Sequence, residues 1–247
     1  PAYMYVVENF YTTVWRVDTT NGRATQFLGG LTDYPFGGNP ASIRPDSSGN
    51  FYISISTLNA INMYNVTTNV LSVYSNNTSS LSPSDMAFDL AGQLYVTHSS
   101  AVGTGLRFVT RIPVGGGIGT VIAGSGVNTV APVEGSLARN ASMGQTIGLA
   151  MDTIHNQLYV ADFSRSVIWR LDLNQPNVTI YTFVGTFSTP SFQISGTIGP
   201  GNMRLNQPVG LAFDPNGDLY FTTIGSVYRI DFVAQNITLI AGNTGVG

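Results

Sequence analysis

The chain has 247 residues, 43% of them hydrophobic and only 9% charged, against about a quarter charged in an average soluble domain. Its 10 basic residues are all arginine, 13 residues are acidic, and the net charge of −3 argues against nucleic acid, whose phosphates call for clustered cations. No apolar run approaches the ~18 residues that span a bilayer, and the absence of cysteine excludes disulfides, thiolate metal sites and cysteine nucleophiles.

In chain order, a strand begins near Tyr3. It is followed by Trp15-Arg-Val-Asp18 and by Thr25-Gln-Phe-Leu-Gly29. Next comes a turn, Asp46-Ser-Ser-Gly49, that runs into a strand at Phe51-Tyr52. A third strand ends at Asn65 and a fourth near Tyr74. Ser84 to Phe88 then leads into the turn Asp89-Leu-Ala-Gly92 and the strand Leu94-Tyr-Val-Thr97. The following strand, Leu106 to Arg111, ends at Pro113, and Thr120-Val-Ile-Ala-Gly124 closes that unit. After a long stretch from Gly124 to Gly148 the order returns: Ile147 to Met151, the turn Asp152 to Asn156, Leu158-Tyr-Val-Ala161, Trp169-Arg-Leu-Asp172, and Ile180 to Gly185. The last unit reads Val209 to Phe213, Asp214-Pro-Asn-Gly217, Leu219-Tyr-Phe-Thr222, Tyr228-Arg-Ile-Asp231 and Thr238-Leu-Ile-Ala-Gly242.

One string, an Asp turn followed by a Tyr-bearing strand, thus returns four times, which marks a repeat architecture. The Asp accepts hydrogen bonds from backbone N–H groups a few residues on, and the Gly (or Asn156) takes the left-handed conformation a tight hairpin needs. Short strands rich in Val, Ile, Tyr and Phe between Gly/Asn/Asp turns predict all-β structure. Four-stranded units in this number predict one β-propeller domain over residues 1–247, with about five blades, or six if the chain continues. The first blade is incomplete, because no first strand precedes Tyr3. The chain opens on Pro1 rather than Met, so it is read as a processed chain or a piece of a longer one. The missing strand is expected from outside these residues, from a continuation past Gly247 or from a neighbouring subunit, which would make the protein a link in an assembly.

Gln207-Pro-Val-Gly-Leu-Ala-Phe-Asp214, Leu158-Tyr-Val-Ala-Asp162, Thr120-Val-Ile-Ala-Gly124 and Leu239-Ile-Ala-Gly242 resemble the units of the NHL-repeat family of β-propellers. The stretch Glu134 to Ser142 resembles the loop between such units in secreted and bacterial members. The resemblance covers nearly the whole chain and is strongest from 83 to 247. It implies fold far more than function, since such propellers include enzymes, adhesion modules and protein-binding platforms.

Function is read from sites. The residues three after each central Tyr are Glu8, Ile55, His98, Asp162 and Thr223, and Glu8, His98 and Asp162 are the candidate binding residues. Two histidines in the chain cannot build a three-His zinc site. No metal site or cofactor is expected, and calcium on oxygen ligands is the version these residues tolerate best. Asp162 has a competing role, closing a turn toward Arg165. Arg16, Arg170 and Arg229 recur at one blade position and are expected to pair with a neighbouring blade's carboxylate. Trp15, Trp169 and Tyr228 are expected to pack between blades. No Gly-x-Ser-x-Gly elbow is present, and Gly115 to Gly119 reads as a hairpin rather than a phosphate cradle.

Asn65, Asn76, Asn77, Asn140, Asn177 and Asn236 each start an N-glycosylation sequon at a loop or hairpin end. The expectation is an extracellular or cell-surface glycoprotein, structural or adhesive and not an enzyme. It would bind protein or glycan through the long inter-blade loops 30–39, 75–82, 124–147 and 186–207, with self-assembly as a further property. The alternative is a metal-dependent lyase or lactonase-type propeller with an axial site.

Overall fold

A computed structural model describes residues 2–9, 12–29, 37–76, 81–100, 107–126, 131–186 and 205–242. The protein is an all-β propeller of five antiparallel blades. The first blade holds β1 (Tyr3–Glu8), β2 (Thr13–Asp18) and β3 (Ala24–Gly29); the second β4 (Pro40–Pro45), β5 (Phe51–Ile55), β6 (Ala60–Asn65) and β7 (Val70–Asn76). The third holds β8 (Leu81–Phe88), β9 (Leu94–Ser100), β10 (Phe108–Ile112) and β11 (Thr120–Ala123). The fourth begins with the two-residue β12 (Ser136–Leu137), then β13 (Thr146–Asp152), β14 (Gln157–Asp162), β15 (Val167–Asp172) and β16 (Thr179–Gly185). The fifth holds β17 (Leu211–Phe213), β18 (Leu219–Thr223), β19 (Ser226–Asp231) and β20 (Asn236–Gly242). The chain divides into two compact units, Pro1–Val96 with Ile112–Gly119, and Thr97–Arg111 with Thr120–Gly247.

The first blade is three-stranded, as expected. Among the described residues no strand pairs with the free edge of β1, a strand in which Tyr3, Met4 and Val6 are exposed.

The repeated Asp turns have the predicted mechanism. Oδ1 of Asp46 accepts from the N–H groups of Ser48 and Asn50, that of Asp89 from Gln93, that of Asp152 from Ile154 and His155, and that of Asp214 from Asn216 and Asp218, all at 2.8–3.0 Å. Gly49, Gly92, Asn156 and Gly217 take positive φ. Asp152→Ala should lower stability by about 1–2 kcal/mol, the scale of a lost cap, in chemical denaturation. An unchanged midpoint would refute the role. The third-strand Asp does the same work at the next hairpin. Asp18, Asn65, Asp172 and Asp231 accept from N–H groups two or three residues on, which is why Asn65 substitutes for Asp without loss.

These bonds set a pH dependence. Hydrogen bonds from Asp218 and Asn216 hold Asp214 below the ordinary carboxylate range, and those from Thr20 and Asn21 do so for Asp18. A depressed folded-state pKa gives stability that is present above the unfolded value and lost as pH falls through the folded one. The unfolding midpoint should therefore drop below about pH 4, and Asp214→Asn should flatten that slope. A slope unchanged in the variant would remove the assignment.

Each blade carries a β-bulge after the second residue of its third strand: Val14/Trp15, Ile61/Asn62, Val109/Thr110, Ile168/Trp169 and Val227/Tyr228. The residue left unpaired on the fourth strand is Phe27, Tyr74, Ile122, Phe183 or Ile240. A bulge re-aims a side chain, and three of these rings meet the central Tyr of their own blade. Tyr5–Phe27, Tyr52–Tyr74 and Tyr159–Phe183 lie at 4.9, 4.7 and 4.8 Å, edge to face, worth about 0.5–1.5 kcal/mol each beyond area burial. Around them Ile53, Met86 and Leu94 in the first unit, and Leu158, Ile168 and Phe221 in the second, are fully buried.

Candidate functional site

The three candidate residues each use a side-chain atom inside their own blade, on the third-strand residue just past the bulge. Trp15 Nε1 donates to Glu8 Oε2 at 2.9 Å. Trp169 Nε1 donates to Asp162 Oδ2 at 2.9 Å. His98 Nε2 and Thr110 Oγ1 lie 2.7 Å apart. Asp162 is fully buried. It also accepts from the N–H groups of Gly144 at 2.6 Å and Arg165 at 3.1 Å, so the turn-closing role toward Arg165 is present. Burial pushes its carboxyl up, and the donors from Trp169, Gly144 and Arg165 pull against that shift. Among the described residues no three His, Asp or Glu side chains are grouped to hold a metal ion. Both Asp162 oxygens already face N–H donors. A sequence signal for this existed: in both blades that carry an acid and a Trp, the two are seven residues apart.

Much of the long loops lies outside the described residues: 30–36, 77–80 and 187–204, and with them Asn77. In the loop 124–147, the described part is tied to the outer edge of β16. Leu137 and Ser136 pair with Thr179 and Ile180, Ala138 N–H donates to Val178, and Glu134 accepts from Thr182 N–H at 3.0 Å. This covers an edge strand rather than presenting a free loop. Two-residue β12 is too short to leave a pattern in sequence.

Among the described residues, a groove lies beside the Asp turns in each unit. The first unit's groove, about 560 Å³, is lined by Asp46, Tyr52, Met63, Tyr74, Phe88 and Asp89. Tyr52 is pushed up to about 12 by burial and then by the Asp46 charge. The second unit's groove, about 320 Å³, has Tyr159, Phe183 and Phe232 as its apolar wall and Asp152, His155, Gln157, Arg170 and Gln235 as its polar groups. Burial, then the Asp152 charge, raises the Tyr159 hydroxyl, which donates to Gln157 Oε1 at 3.2 Å. His155 Nδ1 lies 2.7 Å from Asp152 Oδ2.

The arginines depart from expectation. Arg16 lies over the Tyr3 ring at 4.8 Å and Arg170 over Tyr181 at 4.6 Å, while Arg229 pairs with Asp218 and Asp231 of its own blade. The pairs stay within the blade because each arginine stands directly opposite its own central Tyr and so shares that face with the blade's own second and fourth strands. A cross-blade pair does form elsewhere, Arg44 with Asp85 at 2.7 Å. Trp169 and Tyr228 are buried and Trp15 is half-buried. Asn76, Asn140, Asn177 and Asn236 are exposed and Asn65 is half-buried.

No protein-family model matches the chain, and no curated protein matches it. Solved structures do. The crystal structure of a nidogen/laminin complex aligns with TM-score 0.66 at 17% identity, over 96% of this chain and 74% of that one. Virginiamycin B lyase from Staphylococcus aureus aligns with TM-score 0.59 at 15% identity, over 97% of this chain and 66% of that one. A gluconolactonase from Xanthomonas campestris aligns with TM-score 0.65 at 13% identity, over 94% and 69%. The chain thus spans about two thirds of the lyase. At these identities the likeness is one of fold, that of β-propellers as a class rather than of the NHL-repeat family in particular. It corrects one expectation, that the chain is not an enzyme. A lyase and gluconolactonases carry this same fold, so a missing nucleophile motif is no argument against catalysis.

Proposed function

We propose that the chain is an extracellular or cell-surface propeller, related in its repeats to the NHL family, that binds protein or glycan ligands. The observation that carries this is the aromatic-walled, polar-rimmed groove of the second unit, the usual make-up of a small-ligand site. A propeller neighbour from a nidogen/laminin complex supports a protein partner, and the edge of β1, unpaired among the described residues, offers self-assembly a place for an added strand. Purified protein should bind members of a panel of extracellular glycans and matrix proteins in biolayer interferometry; silence across both panels would overturn the reading.

The localisation has its own test. In protein secreted from a glycosylating cell, peptide mass spectrometry should find glycan on Asn177 or Asn236, which are exposed at equivalent hairpins, and on Asn76, Asn77 or Asn140. Six bare sequons would remove the argument.

A second reading is favoured by the enzyme neighbours, a lactonase- or lyase-type activity. Turnover of a sugar lactone that disappears in His98→Ala would establish it.

A further inference from the structure

The fourth and fifth blades differ in the residue two before their central Tyr. In the fifth blade Asp218 lies two residues before the central Tyr220, and Arg229 stands directly opposite that Tyr. Asp218 Oδ2 accepts from Arg229 Nε at 2.7 Å. The fourth blade repeats the geometry, with Tyr159 opposite Arg170. The residue two before Tyr159 is Gln157, whose Oε1 accepts from the Tyr159 hydroxyl. Among the described residues the buried Nε–H of Arg170 has no acceptor. The guanidinium is held in place, stacked over Tyr181, and it borders the 320 Å³ groove. A buried, oriented donor without an acceptor costs stability. It is relieved by a planar anion, and a carboxylate matches the guanidinium fork.

We infer that this groove binds an acidic saccharide, its carboxylate on Arg170 in the position that Asp218 fills for Arg229. The rest of the groove suits a sugar ring. Phe183 and Phe232, packed on the buried Tyr159, supply the apolar wall, and Asp152, His155 and Gln235 supply acceptors and donors for hydroxyl groups. An acidic peptide would satisfy Arg170 equally, but a hydroxyl-bearing ring also makes use of His155, Gln157 and Gln235 around one aromatic wall. The inference rests on the ligand-binding reading above and narrows it to a chemical class and a site.

The test uses the whole chain and calorimetric titration with oligogalacturonate, its neutral galactose counterpart and an acidic peptide. The uronate should bind about tenfold or more tighter than the neutral sugar, the worth of one charge-assisted bond. Arg170→Gln should abolish that preference, while Arg229→Gln, outside the groove, should keep it. Gln157→Asp supplies the missing carboxylate from within the chain. It should remove uronate binding while leaving the protein at least as stable, so a folded protein without the site is available even if Arg170→Gln misfolds. Equal affinity for both sugars, or a preference that survives Arg170→Gln or Gln157→Asp, overturns the inference while leaving glycan binding intact. Peptide binding as tight as uronate overturns the saccharide assignment. Absence of binding by all three ligands also overturns it, and the protein panel then decides the broader reading on its own.

Discussion

Asp162→Ala should destabilise the protein by about 3–5 kcal/mol, the cost of removing one partner from a buried charged network. Alanine would leave three donors facing a void: the N–H groups of Gly144 and Arg165 and the indole of Trp169. All three sit where water is excluded, since Asp162 is wholly buried and Trp169 is 1% exposed. Asp162→Asn retains one acceptor oxygen and should lose about half as much, because an amide nitrogen then faces a donor. Urea denaturation measures both. A loss below about 1 kcal/mol for the alanine variant would show that these hydrogen bonds do not hold the turn. Glu8→Ala removes the matching bond to Trp15 at a half-buried position, and its effect should be smaller.

Gly185→Ala is the second large effect, about 2–5 kcal/mol. Gly185 closes β16 at φ +106°, and a Cβ there would overlap the Ser166 carbonyl oxygen and come within 2.9 Å of Val167 Cα. The left-handed conformation costs about 1–2 kcal/mol for a residue with a side chain, and forcing atoms into a packed strand costs about 1–3 more. Gly217→Ala is the control. Its φ is +89°, yet a Cβ there would meet nothing within 4 Å, so only the conformational part should appear. Equal losses at the two sites would mean that the close approach to Val167 contributes nothing. The same crowding recurs at Gly124 against Arg107 and at Gly242 against Gly225, which explains the glycine that ends the fourth strand in the third, fourth and fifth blades.

That terminal glycine, the Asp turn and the Tyr strand were readable because each is a local device. Asp214 caps its own turn, and Gly185 is required by Ser166 and Val167 at the start of the strand it pairs with, across a single hairpin. The candidate site was harder to read. Glu8, His98 and Asp162 have the residue types of a metal or acid–base centre, yet Trp15, Thr110 and Trp169 claim them across a strand pairing that a list of residue types does not show. The groove at Arg170 was hidden for a related reason. Its signal is the change from Asp218 to Gln157 between two repeats. That change acquires meaning only once Arg229 is seen to hold Asp218 diagonally across β18 and β19. The arginines were assigned to neighbouring blades because charge alone does not tell which face a strand turns outward.

The bulges in the outer strands carry a consequence for how such a gene can change. Each fourth strand holds one residue more than its ladder uses, so deleting Phe183 would keep the pairs on both sides, Ile168 with Val184 and Trp169 with Thr182, in phase. Deletion one position away would turn the remainder of β16 inside out, because side chains alternate with a period of two. Single-residue loss at that one position per blade therefore keeps the strand's register. In the fourth blade the position holds Phe183, on the wall of the proposed ligand groove, so its loss would alter the groove without shifting the ladder.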